Sequence, residues 1–136
     1  LGYYGEILVL TAQELGLNTC WTALTYKKNN IKINIGENEK IHCVIALGYG
    51  ENPGVSRKSK EEEQVLKLIG DKPAYLDEAI EACLLAPTAM NQQKFKIICD
   101  NGKISIKKNG LGFYTDMDLG IVKCHFEMVT GIRLLD

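Results

Sequence analysis

Residues 76–93 of this chain are LDEAIEACLLAPTAMNQQ, and the expected fold follows from this stretch. Its apolar residues recur at intervals of three and four, which predicts a helix over Leu76–Ala86. Pro87 ends that helix because its ring fixes φ and removes an amide hydrogen. The next residues are small or polar, so the stretch predicts a helix followed by a loop that presents the Thr88 hydroxyl and the Asn91 amide.

A β-hairpin is predicted directly after this loop. Phe95–Cys99 and Lys103–Lys108 are rich in residues typical of strands, and they flank Asp100-Asn101-Gly102. Asn-Gly between two such runs is a strong short-range signal for a hairpin, because its tight turn requires positive φ. The centre of the chain is therefore expected to combine a helix with an antiparallel pair of strands.

Three further helices are predicted from apolar periodicity. The first covers Gly2–Gly16 and ends at a glycine, which enters the left-handed conformation at low cost. The second covers Ser59–Ile69, with a capping box formed by its first serine and the glutamate three residues later. The third covers Leu119–Arg133, with Asp116 or Asp118 as its N-cap.

The remaining apolar runs predict strands. Cys20–Tyr26 is interpreted as a short strand or extended loop, Ile31–Ile35 as a short or edge strand, and Ile41–Tyr49 as a buried strand. No G-x-G-x-x-G follows a strand, since Gly48-Tyr49-Gly50 lacks the third glycine. The predicted fold class is α+β, with helices packed on a small mixed or antiparallel sheet.

Composition restricts the class of partner. The chain has 136 residues and a formal net charge of −1, which argues against nucleic acid or an acidic membrane surface. A hydrophobic content of 46% is sufficient for one packed domain. No apolar run is long enough to span a membrane and no signal peptide is visible, so we expect a cytoplasmic location.

The cysteines and histidines are interpreted as structural. No C-x-x-C pair is present, which argues against a metal site, and reduced, buried thiols are expected. His42 and His125 lie in apolar segments and are expected in the core or an interface. No Ser-His-Asp or Cys-His arrangement can be argued from spacing, so no catalytic side chain is predicted. The five cysteines are Cys20, Cys43, Cys83, Cys99 and Cys124.

Three segments carry groups suited to a ligand, and each has a structural alternative. Gly16–Leu24 offers small residues for close backbone approach, or is a helix end followed by a core strand. Ala86–Asn91 offers a hydroxyl and an amide, or is a plain helix-ending turn. Ser56–Lys58 offers two cations for a phosphate, or is a solvated basic loop.

Two of these segments resemble the FMN-dependent nitroreductase family. Residues 12–21, AQELGLNTCW, resemble its L-G-L-x-T-C-W type segment, and residues 86–93, APTAMNQQ, resemble its A-P-[ST]-x-x-N-x-Q type segment. In a typical member the second segment comes first. The reversed order implies a fragment of a longer protein with two nitroreductase-like halves in tandem. Residues 1–136 are then a single nitroreductase-like domain fragment, in which residues 1–70 resemble the end of one half and residues 71–136 the start of the next.

The resemblance implies a set of FMN-binding residues. The segment after Trp21 passes over the flavin ring in the family, the A-P-T loop contacts the flavin, and a basic residue beyond the G-Y-x-x-x-P segment meets the phosphate. Carried over, the implied residues are Thr22, Ala23, Leu24, Arg57, Pro87, Thr88, Ala89 and Asn91. The chain departs from the family at Leu24, where many members have glycine, and it lacks the Arg-rich segment with which the family begins.

The resemblance also implies an activity and partners. The parent protein would pass hydride from NAD(P)H through FMN to a nitroaromatic or quinone-type acceptor. The helix that starts at Asp118-Leu119-Gly120 resembles the D-x-G helix that packs along the family's dimer axis, so a homodimer is expected. The alternative is a non-catalytic module that binds flavin or serves only for dimerisation.

Overall fold

Helix α1, Gly2–Glu14, links the two units into which the chain divides. The structure, a computed structural model, describes residues 1–27 and 30–134. The larger unit comprises Leu1–Ile7 and Ser56–Asp136, and the smaller unit comprises Leu8–Val55. The prediction of the first helix is confirmed, and the glycine two residues beyond its end has a φ of 75°.

A three-stranded sheet forms one layer of the larger unit. Its strands are β3 (Leu66–Ile69), β4 (Phe95–Asp100) and β5 (Lys103–Lys108), in the order β3-β4-β5. Strand β3 runs parallel to β4, and β4 runs antiparallel to β5. Asn101 and Gly102 have φ of 47° and 83°, which confirms the predicted hairpin.

Helices α3 (Leu76–Leu85) and α4 (Thr115–Thr130) pack on each other, and α4 also contacts β5. The helix predicted over Leu76–Ala86 is confirmed as α3, with its apolar side buried at helical spacing. These helices and the mixed sheet confirm the predicted α+β class. The buried apolar residues of the larger unit include Val65, Leu76, Ala79, Ile80, Cys83, Phe95, Ile97, Cys99, Ile106, Ile121, Val122, Cys124 and Phe126.

The predicted helix over Ser59–Ile69 is wrong. Only α2, Glu62–Val65, is helical, and the residues after it form β3. The pairing of β3 with β4 overrides the helical pattern, because the parallel ladder supplies the backbone hydrogen bonds that these residues would otherwise make within a helix. Ser59 caps no helix, since its hydroxyl donates to the carbonyl of Leu84 at 3.4 Å.

Helix α4 begins four residues earlier than the pattern indicates. The residue before it, Tyr114, is left-handed with a φ of 59°, and no side chain caps the first turn. The N-cap prediction for Asp116 and Asp118 is therefore wrong. The helix ends before Gly131, whose φ of 69° and N–H donated to the Glu127 carbonyl are typical of a glycine C-cap.

The smaller unit contains a two-stranded antiparallel sheet of β1 (Asn18–Thr22) and β2 (Val44–Gly48). The expectation that β2 is fully buried is wrong, because Leu47 is 63% exposed. Ile31–Ile35 forms no strand, although its alternation predicts one. Alternation reports only that one side of a segment is apolar, and within residues 1–27 and 30–134 no strand pairs with this segment.

Two glycines bring the start of α1 against α4 within the larger unit. A Cβ on Gly120 would lie 2.8 Å from the backbone nitrogen of Tyr3, and a Cβ on Gly2 would overlap the carbonyl of Met117. The two backbones are therefore in direct contact, which only glycine permits at these positions.

Polar pairs join the same two helices. The carboxylate of Glu6 and Nε2 of His125 are 2.8 Å apart, with side chains 1% and 12% exposed. The hydroxyl of Tyr3 donates to Oε2 of Glu127 at 2.7 Å. His125 is partly buried at the contact of the two helices, in agreement with the predicted core or interface position. His42 is exposed, so a core position for it is wrong, and an interface position stays a prediction.

The cysteines are free thiols in different environments. Cys83, Cys99 and Cys124 are buried, whereas Cys43 is half-buried and Cys20 is exposed, so the prediction of burial holds for three of them. Burial raises the pKa of Cys83 to about 12. Burial, with the nearby carboxylates of Glu6 and Glu127, raises the pKa of Cys124 to about 11.

We expect stability to fall as the pH rises from about 9 towards 11, because the unfolded chain ionises these two thiols first. Their folded pKa values lie above the ordinary value of 9.0, so their stabilising contribution is complete below pH 9 and is lost above it. Guanidinium unfolding at pH ~8 and ~10 measures the change. Replacing Cys83 and Cys124 together with alanine should flatten the pH dependence, and an unchanged slope would contradict the assignment.

Candidate functional site

The loop between α3 and β4, residues 86–94, is held in an unusual backbone conformation. Ala89–Asn91 forms one 3₁₀ turn, and Met90, Asn91 and Gln93 have φ of 52°, 51° and 44°. A left-handed residue other than glycine costs about 1 kcal/mol or more. We call residues 86–94 the α3–β4 loop. Because of this cost, the shape of the loop must be maintained by contacts from elsewhere in the unit.

Arg57 attaches to the start of this loop. Its Nη2 donates to the carbonyls of Leu84, Leu85 and Ala86 at 3.3, 2.6 and 2.9 Å. These carbonyls lie at the carboxyl end of α3, where the helix dipole favours a cation. Nε of Arg57 donates to Oδ1 of Asn91 at 2.9 Å. One guanidinium therefore joins the end of the helix to the left-handed turn.

Asn91 is held on its other side as well. Its Nδ2 donates to the carbonyl of Lys58 at 2.7 Å. The amide therefore uses its oxygen and one of its two Nδ2 hydrogens to bind the Arg57–Lys58 segment. The structure brings together two residues that the sequence assigns to different parts of a ligand site, Arg57 and Asn91.

Gln93 closes the loop from inside the protein. Its side chain is almost fully buried, and Nε2 donates to the Leu84 carbonyl at 3.0 Å while Oε1 accepts from the amide of Lys60 at 2.7 Å. The Lys60 ammonium donates to the Gln93 carbonyl at 2.7 Å. Thr88 Oγ1 accepts from the Gln93 amide at 3.0 Å. These bonds offset the strain of the turn.

Asp118 of α4 holds the opposite side of the loop. Its Oδ1 accepts from the amide of Ala89 at 2.9 Å, and its Oδ2 accepts from Nε2 of Gln92 at 2.7 Å. Burial raises the pKa of Asp118, while the hydrogen bonds from Ala89 and Gln92 lower it in part. The same Gln92 nitrogen donates to the carbonyl of Phe113 at 2.7 Å.

The hydrogen-bond donors that remain suit an acceptor-rich anion. Within residues 1–27 and 30–134, Nη1 of Arg57 has no hydrogen-bond partner, and the Thr88 hydroxyl hydrogen has no acceptor. The second Nδ2 hydrogen of Asn91 adds a third donor. A phosphate and the carbonyls of a flavin ring accept bonds of this kind, so the residues of the loop fit FMN.

The other predicted residues lie at the ends of local elements. Pro87 and Ala89 are half-buried in the α3–β4 loop. Thr22 ends β1 opposite Val44, and Ala23 and Leu24 follow it, with Leu24 82% exposed. These last three belong to the smaller unit, and their part in a flavin site stays a prediction.

Three residues that shape the loop were not identified from the sequence. Gln92 and Gln93 lie in the segment that resembles the family, but no contact is predicted for them, and Asp118 is predicted only as a helix cap and as the start of the D-x-G helix. Two glutamines between a helix and a buried strand are a weak signal, because buried polar side chains require partners. The position of Asp118 relative to the loop depends on how α4 docks, which no local pattern reveals.

Comparisons with known proteins decide the family. The family described as "Putative TM nitroreductase" matches residues 1–130. The chain belongs to this nitroreductase family. It is also similar to a crystal structure of a protein described as a "putative nitroreductase" from Thermotoga maritima, with 26% identity and a TM-score of 0.73. That similarity covers 94% of this chain and 52% of the Thermotoga chain, so this chain spans about half of that protein.

No curated protein matched the chain. The family match confirms the resemblance to nitroreductases and, with the structural similarity, the predicted fold. The two tandem halves and the dependence on FMN stay predictions. No helix within residues 1–27 and 30–134 is long and apolar enough to cross a membrane.

Proposed function

We propose that this chain is part of a flavin-dependent oxidoreductase of the nitroreductase type. The observation that carries the proposal is the family match over residues 1–130, together with a strained loop whose remaining donors suit FMN. In the full protein, bound FMN would supply the redox chemistry between NAD(P)H and a nitroaromatic or quinone-type acceptor.

The residues of this chain would bind and orient the flavin. Arg57 offers the two hydrogens of Nη1 to the phosphate, and its remaining donors hold the loop. The Thr88 hydroxyl and Asn91 amide offer donors to carbonyl groups of the ring, beside Pro87 and Ala89. The proposed reaction requires no acid or base from this chain.

The proposal includes the arrangement of the longer protein. Two nitroreductase-like halves in tandem would place the end of one half and the start of the next in this chain, and the assembled protein would be a homodimer in the cytoplasm. The match covers 94% of this chain but only 52% of the Thermotoga chain, which supports the proposal that this chain is about half of a longer protein. Thr22, Ala23 and Leu24 would contribute the surface over the flavin ring.

The first test is flavin retention. The chain is mixed with FMN and passed over a gel-filtration column, and the protein peak is examined for the visible flavin band. We expect a yellow peak and a preference for FMN over riboflavin of about tenfold, because riboflavin lacks the phosphate that Arg57 would bind. Consumption of NADH in the presence of a nitroaromatic then tests turnover.

The matched variants are Arg57→Gln and Arg133→Gln. Arg57→Gln should abolish the preference for FMN over riboflavin, whereas Arg133→Gln should preserve it because Arg133 contacts Tyr3 and Glu127 instead. A colourless peak at every flavin concentration would reject flavin binding by this chain. A colourless, stable dimer would favour the alternative of a structural dimerisation module.

A further inference from the structure

The carboxylate of Asp118 accepts hydrogen bonds on both sides of the left-handed part of the α3–β4 loop. One oxygen accepts from the backbone of Ala89 and the other from the side chain of Gln92, and the strained residues Met90 and Asn91 lie between these two points. Asp118 follows Ala89 by 29 residues and belongs to a different secondary-structure element. This pair of hydrogen bonds is therefore a tertiary contact, which cannot be predicted from the residues next to the loop in sequence.

Only a carboxylate satisfies both donors. The Gln92 nitrogen uses one hydrogen for the Phe113 carbonyl and the other for Oδ2 of Asp118, each at 2.7 Å. An asparagine at position 118 keeps one acceptor and replaces the other with an NH₂ group. If the asparagine oxygen faces the Ala89 amide, the asparagine NH₂ group meets the NH₂ group of Gln92, and both are donors. Rotating the Gln92 amide to present its oxygen would relieve this conflict but would break the hydrogen bond to the Phe113 carbonyl.

The environment of Asp118 indicates a role beyond stability. The side chain is buried, and burial raises its pKa even though two hydrogen bonds act in the opposite direction. Groups with a shifted pKa, and residues held in strained backbone conformations, occur often where a protein binds or reacts.

We propose that Asp118 is a positioning residue that holds the α3–β4 loop in the conformation that binds flavin, acting through Ala89 and Gln92. This inference rests on the proposed function, since it assigns the loop the flavin as its ligand. Asp118 itself does not touch the ligand. It sets the orientation of the turn in which Thr88 and Asn91 present their donors.

The test compares Asp118→Asn with Asp116→Asn. Both variants remove one charge from the first turns of α4, but Asp116 is exposed and pairs with Lys108 at 2.6 Å. Amide hydrogen exchange is measured on the flavin-free chain. In Asp118→Asn, we expect exchange at residues 89–93 to accelerate about tenfold, as for loss of one hydrogen bond, while exchange within α3 stays unchanged. Asp116→Asn should alter neither region.

The second readout is the FMN dissociation constant from quenching of flavin fluorescence. Asp118→Asn should weaken FMN binding about tenfold at a temperature where the variant is folded, and Asp116→Asn should bind like the unmodified chain. Because a purely structural role would change exchange throughout the larger unit, an acceleration confined to the loop separates positioning from general destabilisation.

Each outcome decides the inference or the function on which it rests. Unchanged exchange at residues 89–93 overturns the role of Asp118, and so does faster exchange with unchanged FMN affinity. If the unmodified chain binds no FMN, the proposed function fails, and the exchange result still decides whether Asp118 holds the loop.

Discussion

Replacing Gly120 with alanine is expected to destabilise the protein by about 2 kcal/mol, although the same change stabilises an exposed helix. The added Cβ would lie 2.8 Å from the backbone nitrogen of Tyr3. A backbone atom cannot rotate away as a side chain can, so α1 and α4 must separate. Thermal unfolding should show a Tm lower by roughly 8 °C for a unit of this size.

The matched control is Gly54→Ala. Gly54 has no atom within 4 Å of a built Cβ, and its φ is not positive. Alanine there restricts only the unfolded chain, so stability should be unchanged or slightly higher. Gly120→Val should be more destabilising than Gly120→Ala, since the larger side chain meets the same backbone. An equal Tm for Gly120→Ala and the unmodified protein would show that the two helices do not cross at these glycines.

Replacing His125 with leucine is expected to cost about 3 kcal/mol, because it removes the imidazole that the buried Glu6 carboxylate contacts. The two groups are 2.8 Å apart, and the Glu6 side chain is almost completely shielded from water. Leucine fills a similar volume, so loss of packing is a small part of the effect. Guanidinium unfolding near neutral pH measures the change as a shift in midpoint.

The double variant Glu6→Leu with His125→Leu separates charge from packing. If the cost of His125→Leu arises from the lost contact between the imidazole and the carboxylate, removing that carboxylate as well should restore most of the lost stability. A cycle with both single variants gives the interaction energy of the pair. A double variant as unstable as the sum of the single variants would mean that Glu6 and His125 act independently.

The elements that could be predicted from the sequence are those whose signals are local. Pro87 after an amphipathic stretch identified the end of α3, and Asn101-Gly102 identified the hairpin, because each residue restricts its own backbone. The prediction failed at Ser59–Ile69, where the ladder with β4 decides the conformation. The strand predicted at Ile31–Ile35 does not form for the complementary reason, since no strand among the described residues pairs with this segment.

In the candidate site, too, features with local signals could be predicted, and features that depend on contacts between elements could not. Thr88, Asn91 and Arg57 were identified from residue chemistry and resemblance, and the structure brings Arg57 to Asn91 across 34 residues. The contacts of Gln93 and Asp118 depend on the docking of whole elements. Sequence patterns therefore indicated which residues offer donors at the candidate site, but not which residues maintain the shape of the loop.

The contacts of the α3–β4 loop also determine when it can form during folding. Its partners come from the segment at residues 57–60 and from Asp118, so its closure requires chain segments on both sides of α3 to be in place. Contacts between distant segments carry the largest loop-closure entropy, and they form late when folding starts from local structure. The observed conformation of the loop should thus be among the last parts of the larger unit to appear in refolding, after the β4–β5 hairpin and α3. A ligand that recognises only the closed loop would then report on the completion of folding.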